Sequence, residues 1–171
     1  MMTIALTGFM ASGKTTFGRA AAALLGRRFA DTDHLLQERY GRPAGELFTI
    51  LGEEAFRRAE EQILSEALAS ESDLILALGG GTVKSRSNRT LLRERAEVIW
   101  LQTSIDIVMS EIGNCDRPLV KGKSREEVEA LYEKRKPLYE SVADYVFRIE
   151  TTDYDNVIKE LADFIRTIPS L

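Results

Sequence analysis

Residues 8–16 read Gly8-Phe9-Met10-Ala11-Ser12-Gly13-Lys14-Thr15-Thr16, which fits the pattern G-x-x-x-x-G-K-[ST] of a loop that wraps the phosphates of a nucleoside triphosphate. An apolar segment at 3–7 predicts a buried strand before the loop, and an Ala-rich segment at 15–25 predicts a helix after it. In that setting backbone N–H groups and the helix N-terminus face the anion. We expect Lys14 to bridge the β- and γ-phosphates and Thr15 to offer its hydroxyl to Mg²⁺. The residues expected to bind the nucleotide are Gly8, Ala11, Ser12, Gly13, Lys14, Thr15 and Thr16. The alternative is a glycine-rich turn that only caps a helix.

Length and composition favour one globular domain spanning residues 1–171. The chain is 44% hydrophobic and 29% charged, which is usual for such domains, and its length allows a substantial core. Its 23 Lys and Arg against 27 Asp and Glu give a net charge of -4, which argues against nucleic acid as the main partner. The single cysteine, Cys115, forms no internal disulfide, and no segment has the pattern of an export signal or a membrane span. We therefore expect a cytoplasmic protein with no membrane partner.

Apolar strand-like segments alternate with segments of helical periodicity along the chain. Predicted strands lie at 3–7, 29–31, 74–78, 98–101 and 145–149, and predicted helices lie at 15–25, 33–40, 53–70, 86–94, 104–112, 124–141 and 155–167. This alternation predicts an α/β fold, with right-handed βαβ crossovers and a mainly parallel sheet covered on both faces. Ligands bind such sheets at the carboxyl ends of the strands. Polar or glycine-rich residues follow three of the strands there, at 8–16, 31–33 and 79–82.

Two carboxylates, Asp31 and Asp33, close the second predicted strand. They are two residues apart at the end of a short strand, so period two places both side chains on one side, toward the phosphate loop. Neighbouring carboxylates repel, so Mg²⁺ with its waters suits one and a substrate hydroxyl suits the other. In that arrangement Asp33 orients the hydroxyl and takes its proton during phosphoryl transfer. The alternative is that Asp33 only caps the next helix.

The segment Phe56-Arg57-Arg58-Ala59-Glu60 lies on the helix predicted from residue 53. Arg57 and Glu60 are i,i+3 neighbours, so Glu60 can hold the guanidinium in a pose suited to a substrate carboxylate. A surface salt bridge that contributes little is the alternative. After the third strand, Gly79-Gly80-Gly81 allows backbone N–H groups to approach ligand oxygens, although a tight turn is the simpler interpretation.

A segment at 113–122 has glycines at both ends, Arg117 in the middle and few apolar residues. This composition predicts a mobile flap that closes over the site and brings in a positive charge. Cys115 lies two positions before Arg117, and we expect it to be a bystander with no catalytic role, because Asp116 disfavours its thiolate.

Taken together, these motifs resemble the shikimate kinase family over essentially the whole chain. The phosphate loop alone is shared by many kinases and ATPases, whereas the Asp-x-Asp, Phe-Arg-x-x-Glu and triple-glycine motifs in this order are far more specific. The residues that carry the resemblance are Gly8 to Thr16, Asp31-Thr32-Asp33, Gly52-Glu53-x-x-Phe56-Arg57-x-x-Glu60, Gly79-Gly80-Gly81, Asn88-Arg89, Arg117-Pro118-Leu119 and Arg135-x-Pro137-Leu138-Tyr139.

The resemblance implies a three-layer P-loop kinase fold with a five-stranded parallel sheet of order 2-3-1-4-5. It also implies a substrate-binding helical region at about 33–60 and a lid at about 112–123. The implied reaction is the ATP- and Mg²⁺-dependent phosphorylation of the 3-hydroxyl of shikimate, a step toward chorismate and the aromatic amino acids. One subunit is enough for the family's mode of action, so we expect a monomer.

By the same resemblance, shikimate would contact Asp33, Arg57, Arg135 and the glycines Gly79, Gly80 and Gly81, with Phe48 and Phe56 as walls beside its ring. The transferred phosphate would contact Lys14 and Arg117. Thr15 and, through water, Asp31 would hold Mg²⁺. These roles agree with the chemistry of a cyclic carboxylic acid that carries hydroxyls, which needs arginines at one end and an acid at the other.

The chain departs from the family pattern at one point. Members often carry a further Arg a few residues before the lid Arg, where it stacks on adenine. Here the segment is Met109-Ser110-Glu111, and no Arg lies between Arg95 and Arg117. Candidate adenine contacts on the other side are Thr151, Thr152 and Asp153, after the last strand, where the family places its adenine-contacting loop, and by this resemblance we expect Thr152 to contribute.

Two other functions compete with this interpretation. A kinase of gluconate or of a nucleoside monophosphate would share the phosphate loop, but a nucleotide acceptor would need several lid arginines, and 113–122 contains one. A catalytically idle P-loop module would bind nucleotide and signal through a partner. The presence of Asp33, an acid on the acceptor side, argues against that second function.

Overall fold

The computed structural model describes residues 3–70, 73–112 and 122–169, except for the side chain of Ser70. Within these ranges five strands form one sheet in the order β2-β3-β1-β4-β5, and every neighbouring pair is parallel. The strands are β1 (Thr3–Thr7), β2 (Arg28–Asp31), β3 (Leu74–Ala77), β4 (Ala96–Thr103) and β5 (Tyr145–Ile149). All five predicted strands and the implied strand order are confirmed. Strand β4 begins earlier than predicted because Ala96 and Glu97 pair with Thr3 and Ile4.

Seven helices accompany the sheet in the described ranges: α1 (Lys14–Leu25), α2 (Thr32–Tyr40), α3 (Ala44–Ser70), α4 (Arg86–Arg95), α5 (Ile105–Ile112), α6 (Arg125–Glu140) and α7 (Tyr154–Thr167). Helix α3 is kinked at Gly52, where φ is 75° and ψ is 166°. The predicted helix at 53–70 is the part of α3 that follows the kink. The part before it, residues 44–51, lies in the helical region that the resemblance implies, but periodicity did not predict it, because the breakers Pro43, Gly45 and Gly52 lie in or beside a segment of only two turns.

The sheet has a layer of helices on each face, as the three-layer fold requires. One face packs against α1 and α7 through Phe17, Ala21, Leu161 and Ile165. The other face packs against α3, α4 and α6 through Leu64, Leu92, Val128 and Tyr139. Both clusters consist of buried apolar side chains, and the burial of apolar surface is the dominant source of stability for such a domain. Among the helices of the described ranges, none has the length and apolar content that crossing a membrane requires.

A third, smaller core lies under α2 and α3. Its buried members are Leu36, Leu47, Phe56, Ala59 and Ile63. This cluster fixes the two helices to each other beside the carboxyl ends of β2 and β3. It therefore sets the position of Arg57, which lies between Phe56 and Ala59 in the sequence of α3.

Candidate active site

The loop between β1 and α1 needs glycine at two positions for steric reasons. Gly8 has a φ of 151°, and a Cβ there would lie 2.8 Å from the carbonyl oxygen of Leu101. Gly13 has a φ of 80°, and a Cβ there would lie 2.2 Å from the ring of Phe17. Side chains at these positions would collide with β4 and with α1. The alternative of a simple capping turn does not account for Lys14, whose side chain turns into the loop.

Lys14 is the first residue of α1, and its ammonium group is buried within the loop. Nζ donates hydrogen bonds to the carbonyl oxygens of Gly8 (3.0 Å) and Phe9 (2.7 Å) and to Oγ of Ser12 (3.4 Å). The positive charge therefore lies at the N-terminus of α1, where the helix dipole and the free N–H groups also favour an anion.

Thr15 and Asp31 meet directly at the end of β2. Thr15 Oγ1 donates to Asp31 Oδ2 at 2.5 Å. The other oxygen, Asp31 Oδ1, accepts from the backbone N–H groups of Asp33 (2.9 Å) and His34 (3.4 Å). Asp31 is therefore the N-cap of α2, and the extended geometry predicted for 31–33 is wrong because the helix begins at Thr32. Asp33 lies in the first turn of that helix and is not its cap.

A hydroxyl oxygen and a carboxylate oxygen at this position suit Mg²⁺, which prefers oxygen ligands. Within the described residues, no group of three or more His, Cys, Asp and Glu side chains is placed to hold a metal ion by itself. A sparse ligand set of this kind fits Mg²⁺, which keeps several waters and binds proteins through one or two side chains together with substrate phosphates.

The triple glycine is separated from the end of β3 by Leu78 alone and packs against two of the predicted substrate residues. The N–H of Gly79 donates to Thr32 Oγ1 at 2.8 Å, which joins this turn to the start of α2. A Cβ on Gly79 would lie 2.5 Å from Asp33 Oδ1, and a Cβ on Gly81 would lie 2.8 Å from Arg57 Nη1. The glycines therefore let Asp33 and Arg57 lie directly against the backbone, which a tight turn alone would not require.

Arg57 is held by a buried partner. Its guanidinium pairs with Glu60, whose side chain is only 4% exposed, and it lies 5.8 Å from the ring centroid of Phe48 and 5.5 Å from that of Phe56. Burial raises the pKa of Glu60 above its ordinary value, and the neighbouring charge and hydrogen bond of Arg57 offset part of this shift. The pair is thus a fixed element of the site and not the surface salt bridge considered above.

Arg135 and Tyr139 lie one helical turn apart on α6 and share one acceptor. Arg135 Nη1 donates to the carbonyl oxygen of Gly80 at 3.4 Å, and the hydroxyl of Tyr139 donates to the same oxygen at 3.1 Å. Tyr139 is fully buried, and its burial raises the pKa of the phenol to about 12, so the hydroxyl keeps its proton. Sequence reasoning gave Tyr139 no role, although its i,i+4 spacing from Arg135 was a usable signal.

One cleft of about 150 Å³ is lined by Lys14, Thr15, Asp31, Asp33 and Gly80, whereas Arg57, Gly79, Gly81 and Arg135 do not line it. At one end its walls are the phosphate loop from Ala11 to Thr16, together with Asp31, Asp33 and Gly80. At the other end they are Ile107, Glu111, Ile149, Thr151 and Tyr154. Thr152 is exposed and does not line the cleft, whereas its neighbour Thr151 does. Asp153 is engaged as the N-cap of α7. Arg117, Cys115 and most of the predicted lid at 112–123 lie outside the described residues.

Comparison with known sequences gives a consistent result. A family model described as shikimate kinase matches residues 10–166. The shikimate kinase of Dictyoglomus turgidum is 35% identical over 167 residues, with 95% of this chain and 96% of the relative covered. The shikimate kinase of Vibrio parahaemolyticus is 42% identical over 149 residues, with 86% of each chain covered.

Solved structures agree with these relatives. The shikimate kinase from Acinetobacter baumannii in complex with shikimate superposes with a TM-score of 0.89 at 31% identity, covering 98% of this chain and 94% of that one. The deoxyadenosine kinase from M. mycoides superposes with a TM-score of 0.61 at 17% identity, which indicates a shared fold only.

Proposed function

The chain belongs to the shikimate kinase family, and from this premise we propose that it transfers the γ-phosphoryl group of ATP to the 3-hydroxyl of shikimate. The observation that carries the proposal is the contact of Asp33 and Arg57 with Gly79 and Gly81, beside the phosphate loop. An acid and an arginine on the acceptor side of a nucleotide loop suit a substrate with a hydroxyl at one end and a carboxylate at the other.

On the donor side, Lys14 supplies the charge that neutralises the transferred phosphoryl group. Its three hydrogen bonds to loop oxygens hold the ammonium at the start of α1, so the charge is in position before the reaction. Thr15 and Asp31 would hold Mg²⁺, Asp31 through water, and the ion would neutralise charge on the phosphates. Arg117 would add a second positive charge from the lid.

On the acceptor side, Asp33 orients the hydroxyl and accepts its proton as the phosphoryl group is transferred. Arg57, fixed by Glu60, and Arg135, fixed on Gly80, bind the carboxylate. The backbone of Gly79, Gly80 and Gly81 approaches the oxygens that the substrate ring carries. Phe48 and Phe56 form an edge-to-face pair, with centroids 5.4 Å apart, that would wall the ring.

We further propose that residues 1–171 act as one catalytic domain, as a monomer in the cytoplasm, in the route to chorismate and the aromatic amino acids. The net charge of -4 supports a small-molecule substrate over nucleic acid.

The test is turnover measured in parallel with shikimate, gluconate and AMP, each with ATP and Mg²⁺, by coupling ADP release and identifying the phosphorylated product. We expect shikimate 3-phosphate as the main product. Preferred turnover of gluconate or AMP would replace the proposed substrate. ATP binding with no turnover of any acceptor would favour the idle nucleotide-binding module instead.

A further inference from the structure

Two side chains at the far end of the cleft have no part in the reaction described above. The hydroxyl of Tyr154, the first residue of α7, donates a hydrogen bond to Oε1 of Glu111 near the end of α5. The ring of Tyr154 also meets the ring of Phe17 edge to face, with centroids 5.4 Å apart. Both Tyr154 and Glu111 line the cleft, so the hydrogen bond joins two helices across its wall.

The direction of a bound nucleotide follows from the cleft itself. The N-terminus of α1 and Lys14 fix the phosphates at one end. Sheet order places β4 and β5 on the side of β1 away from β2 and β3, and there the cleft is lined by Thr103, Ile107, Ile149 and Tyr154, with the polar Glu111 and Thr151 beside them. A flat aromatic group is what such a wall accommodates, so the base of the nucleotide lies at this end.

A carboxylate in a cleft for a polyanion requires a reason, because like charges weaken binding. For Glu111 the reason is a hydrogen bond from a donor on the base, which the carboxylate can accept. A carboxylate has two oxygens and accepts several hydrogen bonds, so Glu111 can accept from Tyr154 and from a base amine together. A carboxylate cannot donate to an oxygen at position 6, so hypoxanthine offers it only the N1–H beside that oxygen, whereas adenine offers the 6-amino group.

We propose that Tyr154 forms the wall of the base site and that Glu111, held in place by Tyr154, selects a base with an amino group at position 6 over one with an oxygen there. This inference rests on the proposed function, because it concerns the nucleotide site of the same reaction.

The test is calorimetric binding of ADP and of inosine diphosphate, each with Mg²⁺ and without shikimate. The two bases differ at position 6 and in the N1 proton that accompanies the change. We expect wild-type protein to bind ADP about tenfold more tightly, the usual value of one charge-assisted hydrogen bond. Glu111→Gln offers both a donor and an acceptor, so the ratio of the two dissociation constants should fall toward one. Using the ratio cancels the general gain in affinity from removing a negative charge.

Three further variants sharpen the test. Glu94→Gln makes the same chemical change on an exposed residue of α4 outside the cleft and should leave the ratio unchanged. Tyr154→Ala should weaken both ligands by about fivefold or more, since it removes the wall. Tyr154→Phe keeps the ring but removes the donor to Glu111. This variant should retain most of the affinity for ADP, and its ratio of the two dissociation constants should move toward one.

The possible outcomes separate the two proposals. If wild-type protein binds neither nucleotide, the proposed function fails and this inference fails with it. If wild-type protein binds ADP and phosphorylates shikimate but Glu111→Gln keeps the wild-type ratio, only the role of Glu111 is overturned. If Tyr154→Ala is folded and binds ADP as the wild type does, the role of Tyr154 is overturned. If that variant does not fold, an unchanged ratio in Tyr154→Phe overturns the claim that Tyr154 holds Glu111 in place.

Discussion

Single side chains in this site act through a fixed partner. Lys14 is held by loop oxygens, Arg57 by Glu60 and Arg135 by the carbonyl of Gly80. Preorganised charge of this kind stabilises a transition state without reorganisation at the moment of reaction. Substituting a partner that touches no substrate should therefore change the kinetics, as substituting the residue that it holds would.

Lys14→Met removes the charge at the start of α1 and should lower turnover by about 100-fold or more. Methionine has a similar length, so the loop should keep its fold, and thermal unfolding checks this. Turnover close to wild type would mean that phosphoryl transfer does not occur at this loop.

Tyr139→Phe isolates a positioning residue. The variant keeps the buried ring and removes the hydroxyl that donates to Gly80, so that carbonyl is held by Arg135 alone. We expect KM for shikimate to rise about three- to tenfold while KM for ATP changes little, since a hydrogen bond of this type contributes roughly 1 kcal/mol. A purely structural role for Tyr139 would lower the melting temperature and leave the two KM values in their wild-type ratio.

At the scale of elements, the turn after β3 decides where the catalytic groups lie. Gly79 and Gly81 each exclude a Cβ in favour of a functional side chain, Asp33 in one case and Arg57 in the other. The obstructed atoms are the ends of flexible side chains, so an added methyl group displaces these groups without forcing the backbone to move.

The two glycines therefore serve as controls for each other. Gly79→Ala should lower kcat, by roughly tenfold or more, because it moves the base Asp33. Gly81→Ala should raise KM for shikimate, because it moves Arg57, and should leave kcat less affected. Steady-state kinetics of both variants checks the split. Identical kinetic defects in the two would show that the turn acts as a unit and not through these separate contacts.

The same elements show what the sequence could and could not predict. Strand order followed from the family resemblance, and the five strands followed from the alternation of short strand-like segments with segments of helical periodicity. Periodicity alone gave no helix over 44–51, where local breakers outweighed tertiary contacts, although the implied helical region at about 33–60 covers it. A helix was predicted from residue 33, and the error was to extend the strand geometry over 31–33, where α2 begins at Thr32. The contacts of Gly79 and Gly81 join residues distant in sequence, and no local pattern reports them.

At the scale of the whole molecule, a functional site built on buried charge affects the stability of the fold. Arg57 and Glu60 are neighbours on α3, and Arg57 lies against Gly81, so holding an arginine for substrate requires a carboxylate that is almost removed from water. Burial opposes the charged form of Glu60, so the free energy of unfolding should depend on pH through this group.

Glu60→Gln tests this pH dependence. The pKa of Glu60 is raised in the folded state, chiefly by burial, so between about pH 4.5 and the folded pKa the native protein binds more protons at this group than the unfolded chain. Its contribution to stability is complete below the unfolded pKa and is lost as pH rises through the folded pKa. The unfolding free energy of the wild type minus that of Glu60→Gln should therefore fall as pH rises from 4.5, as measured by denaturant titrations at a series of pH values.

Glu53→Gln is the matched control of opposite sign. A hydrogen bond from Lys84 lowers the pKa of Glu53, so the contribution of Glu53 to stability is present above pH 4.5 and is lost as pH falls. A difference for Glu60→Gln that grows with pH would mean that Arg57 outweighs burial, and that holding the arginine stabilises the folded protein at neutral pH.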